Sequence, residues 1–238
     1  MSILKYFINI SFCLCIGTAF SQTVKQDSIP PAKETYGLRA GIDIYRLARS
    51  VYDKDYTGLE LAGDFRMTKK IYLAGELGNE NKTVDDDRVN FTTRGTYFKV
   101  GADYNMYENW LDMDNQIYLG LRYAVSSFSQ ELNTYKIYTP HPYFGDLPNM
   151  VSGQKYNGLS AHWVEVVAGI KAEIFNNFYA GFSVRLNRLV SENKPNNFDN
   201  LFIPGYNRTY DSKYGVGINY TITYSIPVYK KDKKKKEN

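Results

Sequence analysis

Cysteine, histidine and tryptophan are scarce in this chain of 238 residues, with two of each. Both cysteines, Cys13 and Cys15, lie near the N-terminus. A mature chain lacking that segment would have no disulfide framework, no thiolate zinc site and no cysteine nucleophile. Long apolar runs are also missing. A spanning helix needs about 20 consecutive apolar residues, and the mean hydropathy of −0.44 is too polar for a helical membrane bundle.

Only the N-terminus approaches such a run. Lys5 supplies a positive start, Tyr6 to Thr18 is largely apolar, and Ala19-Phe20-Ser21 has the small-x-small form of a cleavage site. This predicts an export signal over 1–21, cleaved before Gln22. Residues 22–34, centred on Pro30-Pro31, read as a flexible periplasmic leader, 35–229 as one β-domain and 230–238 as a lysine-rich tail. In the tail, the lysines at 230, 231 and 233–236 set against Asp232 and Glu237 account for the whole formal charge of +4. The rest of the chain is neutral. A nucleic-acid binder carries its basic residues as a patch on a folded surface, so nucleic acid is not expected as a partner.

The chain is rich instead in period-two alternation, the mark of strands rather than helices. The pattern occurs eight times. Tyr36, Leu38, Ala40, Ile42 and Ile44 form the first apolar face, and Leu59, Leu61, Phe65 and Met67 the second. Faces led by Leu73, Phe98, Ile117, Val164 and Phe178 follow, and Tyr214 to Val228 alternates without a break. Several runs reach the 9–11 tilted residues needed to cross a bilayer. The connections alternate between short (68–70, 108–115, 176–177) and long (49–56, 79–90, 131–158, 193–212). That is the layout of an outer-membrane barrel, with short periplasmic turns and long external loops. The expected fold is all-β: an eight-stranded antiparallel up-and-down transmembrane β-barrel with both termini in the periplasm.

The opposite phase decides which face meets lipid. It carries Arg39, Arg66, Lys99, Arg122, Lys171 and Arg185 against Asp43, Glu60, Asp64, Glu76, Asp103, Glu165 and Glu173. A soluble lipocalin-like barrel would turn its apolar phase inward. Near-balanced charges fit a narrow lumen that side chains fill, where each buried charge needs a partner. Aromatics near the strand ends, such as Tyr104, Phe178 and Tyr224, suit an interfacial girdle.

Two resemblances support this reading. Lys213-Tyr214-Gly215-Val216-Gly217-Ile218-Asn219-Tyr220 resembles the last-strand signal read by the barrel assembly machinery, which implies that machine as a partner; here the strand does not end the chain. The segments Tyr52-Asp53-Lys54-Asp55-Tyr56, Gly75-Glu76-Leu77-Gly78-Asn79-Glu80, Asn90-Phe91-Thr92-Thr93, Tyr107-Glu108-Asn109-Trp110, Ala161-His162-Trp163-Val164-Glu165 and Ile203-Pro204-Gly205-Tyr206-Asn207-Arg208-Thr209-Tyr210 resemble an uncharacterised family of Bacteroidota outer-membrane proteins. The resemblance runs from about Tyr36 to Lys231. It implies a small barrel of the OmpA/OmpX type and no particular activity.

Candidate chemistry is sparse. Ser160 and His162 lie one residue apart at the outer end of the sixth strand, but a nucleophile, base and orienter are required together; His141 sits between two prolines in the longest loop. Asp85-Asp86-Asp87 lacks the spacing of a calcium loop. Neither a catalytic residue, a metal site nor a cofactor is expected. The aromatic-rich long loops are the best candidate binding surface, with Tyr138, Tyr143, Phe144, Phe202 and Tyr206 as its anchors or, alternatively, as a cap on the barrel mouth. The expectation is a non-enzymatic barrel meeting outer-membrane lipid and lipopolysaccharide. A rim-active lipid enzyme and a narrow transport barrel are the alternatives.

Overall fold

The computed structural model describes residues 33–108, 114–137, 148, 150–196, 198–208 and 212–232. The expected signal, most of the expected leader and the end of the tail lie outside the described residues. The strands are β1 (Lys33–Asp43), β2 (Tyr56–Arg66), β3 (Ile71–Asp86), β4 (Val89–Asn105), β5 (Gln116–Tyr135), β6 (Met150–Phe175) and β7 (Phe178–Glu192). A short hairpin, β8 (Phe202–Ile203) with β9 (Asn207–Arg208), precedes β10 (Tyr214–Asp232). One helix, α1 (Ile44–Tyr52), joins β1 to β2.

Eight strands close into a ring in the order β1-β10-β7-β6-β5-β4-β3-β2. Every neighbouring pair is antiparallel, and the β1–β10 pairing makes the closure. Closure removes the free edge strands of the ring, and only its outward extensions, such as β6 before Ala161, pair on one side alone. The alternation sets the two faces. On β5, Ile117, Leu119, Leu121 and Tyr123 point outward and are about half exposed, whereas Gln116, Tyr118, Arg122 and Ala124 are buried inside. The outward apolar band gives way to polar residues toward the outer ends of the strands. Above it the outward positions become Asn79, Arg94, Ser127, His162 and Arg188.

Three expectations change. The first strand does not continue through Ile44. The Asp43 carboxylate accepts the Tyr45 N–H (2.8 Å) and caps α1, whose Leu47 and Ala48 favour helix. Tyr36 does not share the outward face of Leu38, because a bulge between Tyr36 and Gly37 reverses the phase and turns its ring inward. Finally, the expected loops at 79–90 and 131–158 are largely strand: β3 and β4 stay paired to Asp86↔Val89, and β5 pairs β6 to Tyr135↔Met150. Polar residues dominate there, so the hydrophobic period fades while the backbone ladder persists. Polar links such as Thr83–Thr92 (2.9 Å) and Asn133 to Asn90 (2.7 Å) join neighbouring strands.

Candidate functional site

The lumen is filled by three tiers of charge. The lowest, nearest the short turns, centres on Asp64 of β2. Arg39 of β1 donates to it from Nε (2.7 Å) and Nη2 (2.5 Å), and Lys171 approaches from β6, four strands around the ring. The Arg39 guanidinium lies 4.8 Å from the Tyr72 ring centre and 5.1 Å from that of Tyr179, adding cation–π attraction. Arg66 pairs with Asp114 (3.2 Å) at the rim. Glu173 lies at the β6–β7 turn and accepts the Asn177 N–H (2.8 Å); no ion pair to it occurs among the described residues.

The middle tier is a continuous network. Arg185 of β7 binds Glu76 of β3 through both terminal nitrogens (2.5 and 2.9 Å) and Glu165 of β6 at 3.0 Å. Lys99 adds a contact to Glu165 (2.9 Å), the Trp163 indole donates to the same carboxylate (2.7 Å), and Arg122 pairs with Asp103 (2.7 Å). These side chains are nearly all buried. Such charges persist only when paired, and the pairs fill the bore.

The third tier lies at the mouth and joins Asp43 and Glu60, which the alternation singled out, to residues that it did not. Arg46, on α1, reaches into the ring and binds Asp43, Glu60 (3.3 Å) and Glu80 (2.8 Å). Tyr97 donates to Glu60 (2.7 Å), Tyr56 to Glu80 (2.7 Å), and Asn219 to both Asp43 (2.6 Å) and Glu60 (2.7 Å). Glu80 continues the inward phase of Tyr72, Ala74 and Glu76, within the stretch 79–90 expected as a loop. Arg46 carries no strand signal because it sits on a helix.

The β8–β9 hairpin closes the other half of the mouth. Its Ile203 and Tyr206 are fully buried in an apolar cluster with Trp163, Phe128, Leu159 and Leu189. The Tyr206 ring meets Trp163 edge-on at 5.7 Å, and its hydroxyl donates to the Lys213 carbonyl (2.8 Å). The Gly205 N–H donates to Glu80 (2.8 Å), tying the hairpin to the Arg46 tier. Phe202 and Tyr206 are therefore not an exposed binding surface: hydrophobic packing draws both rings inside, in the capping arrangement. Tyr138, Tyr143, Phe144 and His141 lie outside the described residues. Between α1 and the hairpin, a cavity of about 570 Å³ runs down to Lys99 and Arg185.

Ser160 and His162 both lie on the outward phase of β6, and His162 Nδ1 is 3.0 Å from the Tyr123 hydroxyl. Asp85 accepts from Asn90 (2.9 Å) beside the β3–β4 turn. Among the described residues, no group of three His, Cys, Asp or Glu side chains is placed to hold a metal ion.

Residues 3–231 match the family described as a domain of unknown function, DUF6048. The chain belongs to this family. No curated protein matches it by sequence. Among solved structures it is similar to Neisserial surface protein A, with 10% identity over 81% of this chain and 96% of that one at a TM-score of 0.44. It is also similar to Ail, the attachment invasion locus protein of Yersinia pestis (10% identity, 82% and 99% covered, TM-score 0.39), and to CarO of Acinetobacter baumannii (11%, 84% and 100%, 0.34). The fold rests on the ring itself, followed strand by strand, and DUF6048 brings no activity with it.

Proposed function

We propose that the chain is a non-enzymatic outer-membrane barrel, sealed along its bore, with its termini in the periplasm and its plugged mouth facing outward. One observation carries this reading. A closed ring turns an unbroken apolar band outward while its charges pair inside, and in water that arrangement would expose far more contiguous apolar surface than a soluble monomer carries. In a bilayer the same band replaces lipid at no hydrophobic cost, and closure satisfies every backbone group. Lipid and lipopolysaccharide are then its immediate partners, and the signal resembled by Lys213–Tyr220 is the handle for barrel assembly. The outward placement of Ser160 and His162 favours a place in the interfacial belt over a role as a catalytic pair.

Cell fractionation with gel analysis tests this. The chain is expected in the outer-membrane fraction, running as a compact band on SDS gels when unheated and shifting on boiling. A soluble periplasmic product overturns the proposal.

A further inference from the structure

The cavity at the mouth is walled by α1 on one side and the β8–β9 hairpin on the other. At about 570 Å³ it falls within the range of roughly 300–1,000 Å³ typical of small-ligand sites. Its lining contains several cations, which at first suggests an anion site. Each is already committed. Arg46 serves three carboxylates; Lys99 and Arg185 serve Glu165 and Glu76; Arg49 and Lys82 share Asp53. Glu80, the carboxylate in the wall, is occupied by Arg46, Tyr56 and the Gly205 N–H, so a cation finds no free charge either.

Neutral hydrogen-bonding capacity is what remains. Asn187 is 1% exposed and lines the cavity, and among the described residues its Oδ1 finds no hydrogen-bond donor. Arg185, two residues earlier on the same face of β7, also lines it, with its Nε–H unpartnered. One is an acceptor without a donor and the other a donor without an acceptor, and each buried group left so is costly. A hydroxyl answers both, since it donates and accepts at once. Tyr45 from α1 and Phe202 from the hairpin add aromatic surface on the two sides of the cavity. Gly217, paired with Arg185 on the neighbouring strand β10, leaves room beside it: a Cβ there would meet only the Arg185 side chain, at 3.8 Å.

From this combination we infer that the mouth cavity binds an uncharged, polyhydroxylated ring, a mono- or disaccharide, with Asn187 and Arg185 holding its hydroxyls and Tyr45 and Phe202 facing its C–H surfaces. The inference rests on the reading of the mouth as the outward end of the barrel and adds a ligand class to it.

The test uses the full chain extracted from membranes in detergent, titrated calorimetrically with glucose, galactose, N-acetylglucosamine and maltose, and separately with inorganic phosphate. Saturable binding of at least one sugar is expected, with phosphate silent. Asn187→Leu and Tyr45→Ala should each weaken it at least tenfold, and Gly217→Leu should abolish it by filling the space. Heat-modifiable migration confirms that each variant is folded. Tyr45 takes part in none of the lumen ion pairs, so its variant keeps the test available if Asn187→Leu does not fold. No sugar binding across the panel, phosphate binding in place of sugar, or sugar binding unchanged in the folded variants would overturn the inference. Fractionation is read separately, so a membrane barrel that binds no sugar refutes this inference alone.

Discussion

Arg185 and Glu76 clasp each other straight across the barrel, by two hydrogen bonds of 2.5 and 2.9 Å between strands four positions apart in the ring. The Lys171–Asp64 pair crosses from β6 to β2 lower down, along the neighbouring diameter. Two such struts therefore cross the bore at different depths. Removing one partner strands a buried charge, at a cost of about 3–5 kcal/mol. Arg185→Met should therefore lower the denaturant midpoint of the detergent-solubilised barrel markedly. The double replacement Arg185→Met with Glu76→Met should cost less than Arg185→Met alone, because the Lys99–Glu165 and Arg122–Asp103 pairs remain neutral. A double variant whose loss equals the sum of the two singles would show that the strut is not an energetic unit.

The struts lie below the plug, and on the proposed reading of a sealed bore they close it without the plug. Replacing residues 196–210 with a short Gly-Ser linker should leave planar bilayers without single-channel conductance. Open channels in that variant would assign the seal to the hairpin instead.

Gly205 holds the hairpin in place. Its φ is +81°, and a Cβ there would lie 2.5 Å from the Tyr97 ring. Gly205→Val combines that clash with a backbone conformation that costs a β-branched residue about 1–3 kcal/mol. The hairpin should be displaced, and limited proteolysis should cut the 193–213 segment of the variant while sparing the parent. Equal resistance in both would contradict this seating.

Leu121 and Ser127 share the outward face of β5, inside and above the apolar band respectively. With lipid around the band, Leu121→Arg should cost about 2–4 kcal/mol, read as a lower unfolding midpoint in vesicles. Ser127→Arg should be nearly neutral. Equal effects at the two positions would mean that the band does not mark a hydrocarbon layer.

Asp53, just beyond α1, offers a pH test outside the spanning strands. Partial desolvation pushes its pKa up, but the hydrogen bond and charge of Lys82 (3.0 Å), with Arg49 and the Asp55 N–H, outweigh it, so its pKa lies below the ordinary 3.8. The stabilisation is present above the unfolded-state pKa and is lost as pH falls through the lowered one. Lys82→Met should raise the Asp53 midpoint in a carboxyl-detected NMR titration. An unmoved midpoint would remove Lys82 as its cause.

Much of the fold is legible residue by residue, and the exceptions share a cause. The run from Tyr214 to Val228 announces a strand because period-two alternation is local and strong. The inward charges could be named because they occupy the opposite phase of the same runs. Glu80 kept that phase yet lay where the apolar partner face had faded, so it read as loop. Tyr36 kept the apolar pattern, but a bulge, which alternation cannot register, reversed its direction.

The sequence by itself determined strand number, the inward and outward faces and the demand that lumenal charges be paired, since these follow from the chemistry of near neighbours along the chain. Tertiary structure alone decided which charges pair and what covers the mouth. Arg185 finds Glu76 109 residues away, and Gly205 finds Glu80 125 residues away, only once β1 and β10 have closed the ring. Arg46 joins the lumen only because Asp43 ends a strand and caps a helix there. The eight strands could be read one at a time, whereas the seal and the cavity beside it exist only in the closed barrel.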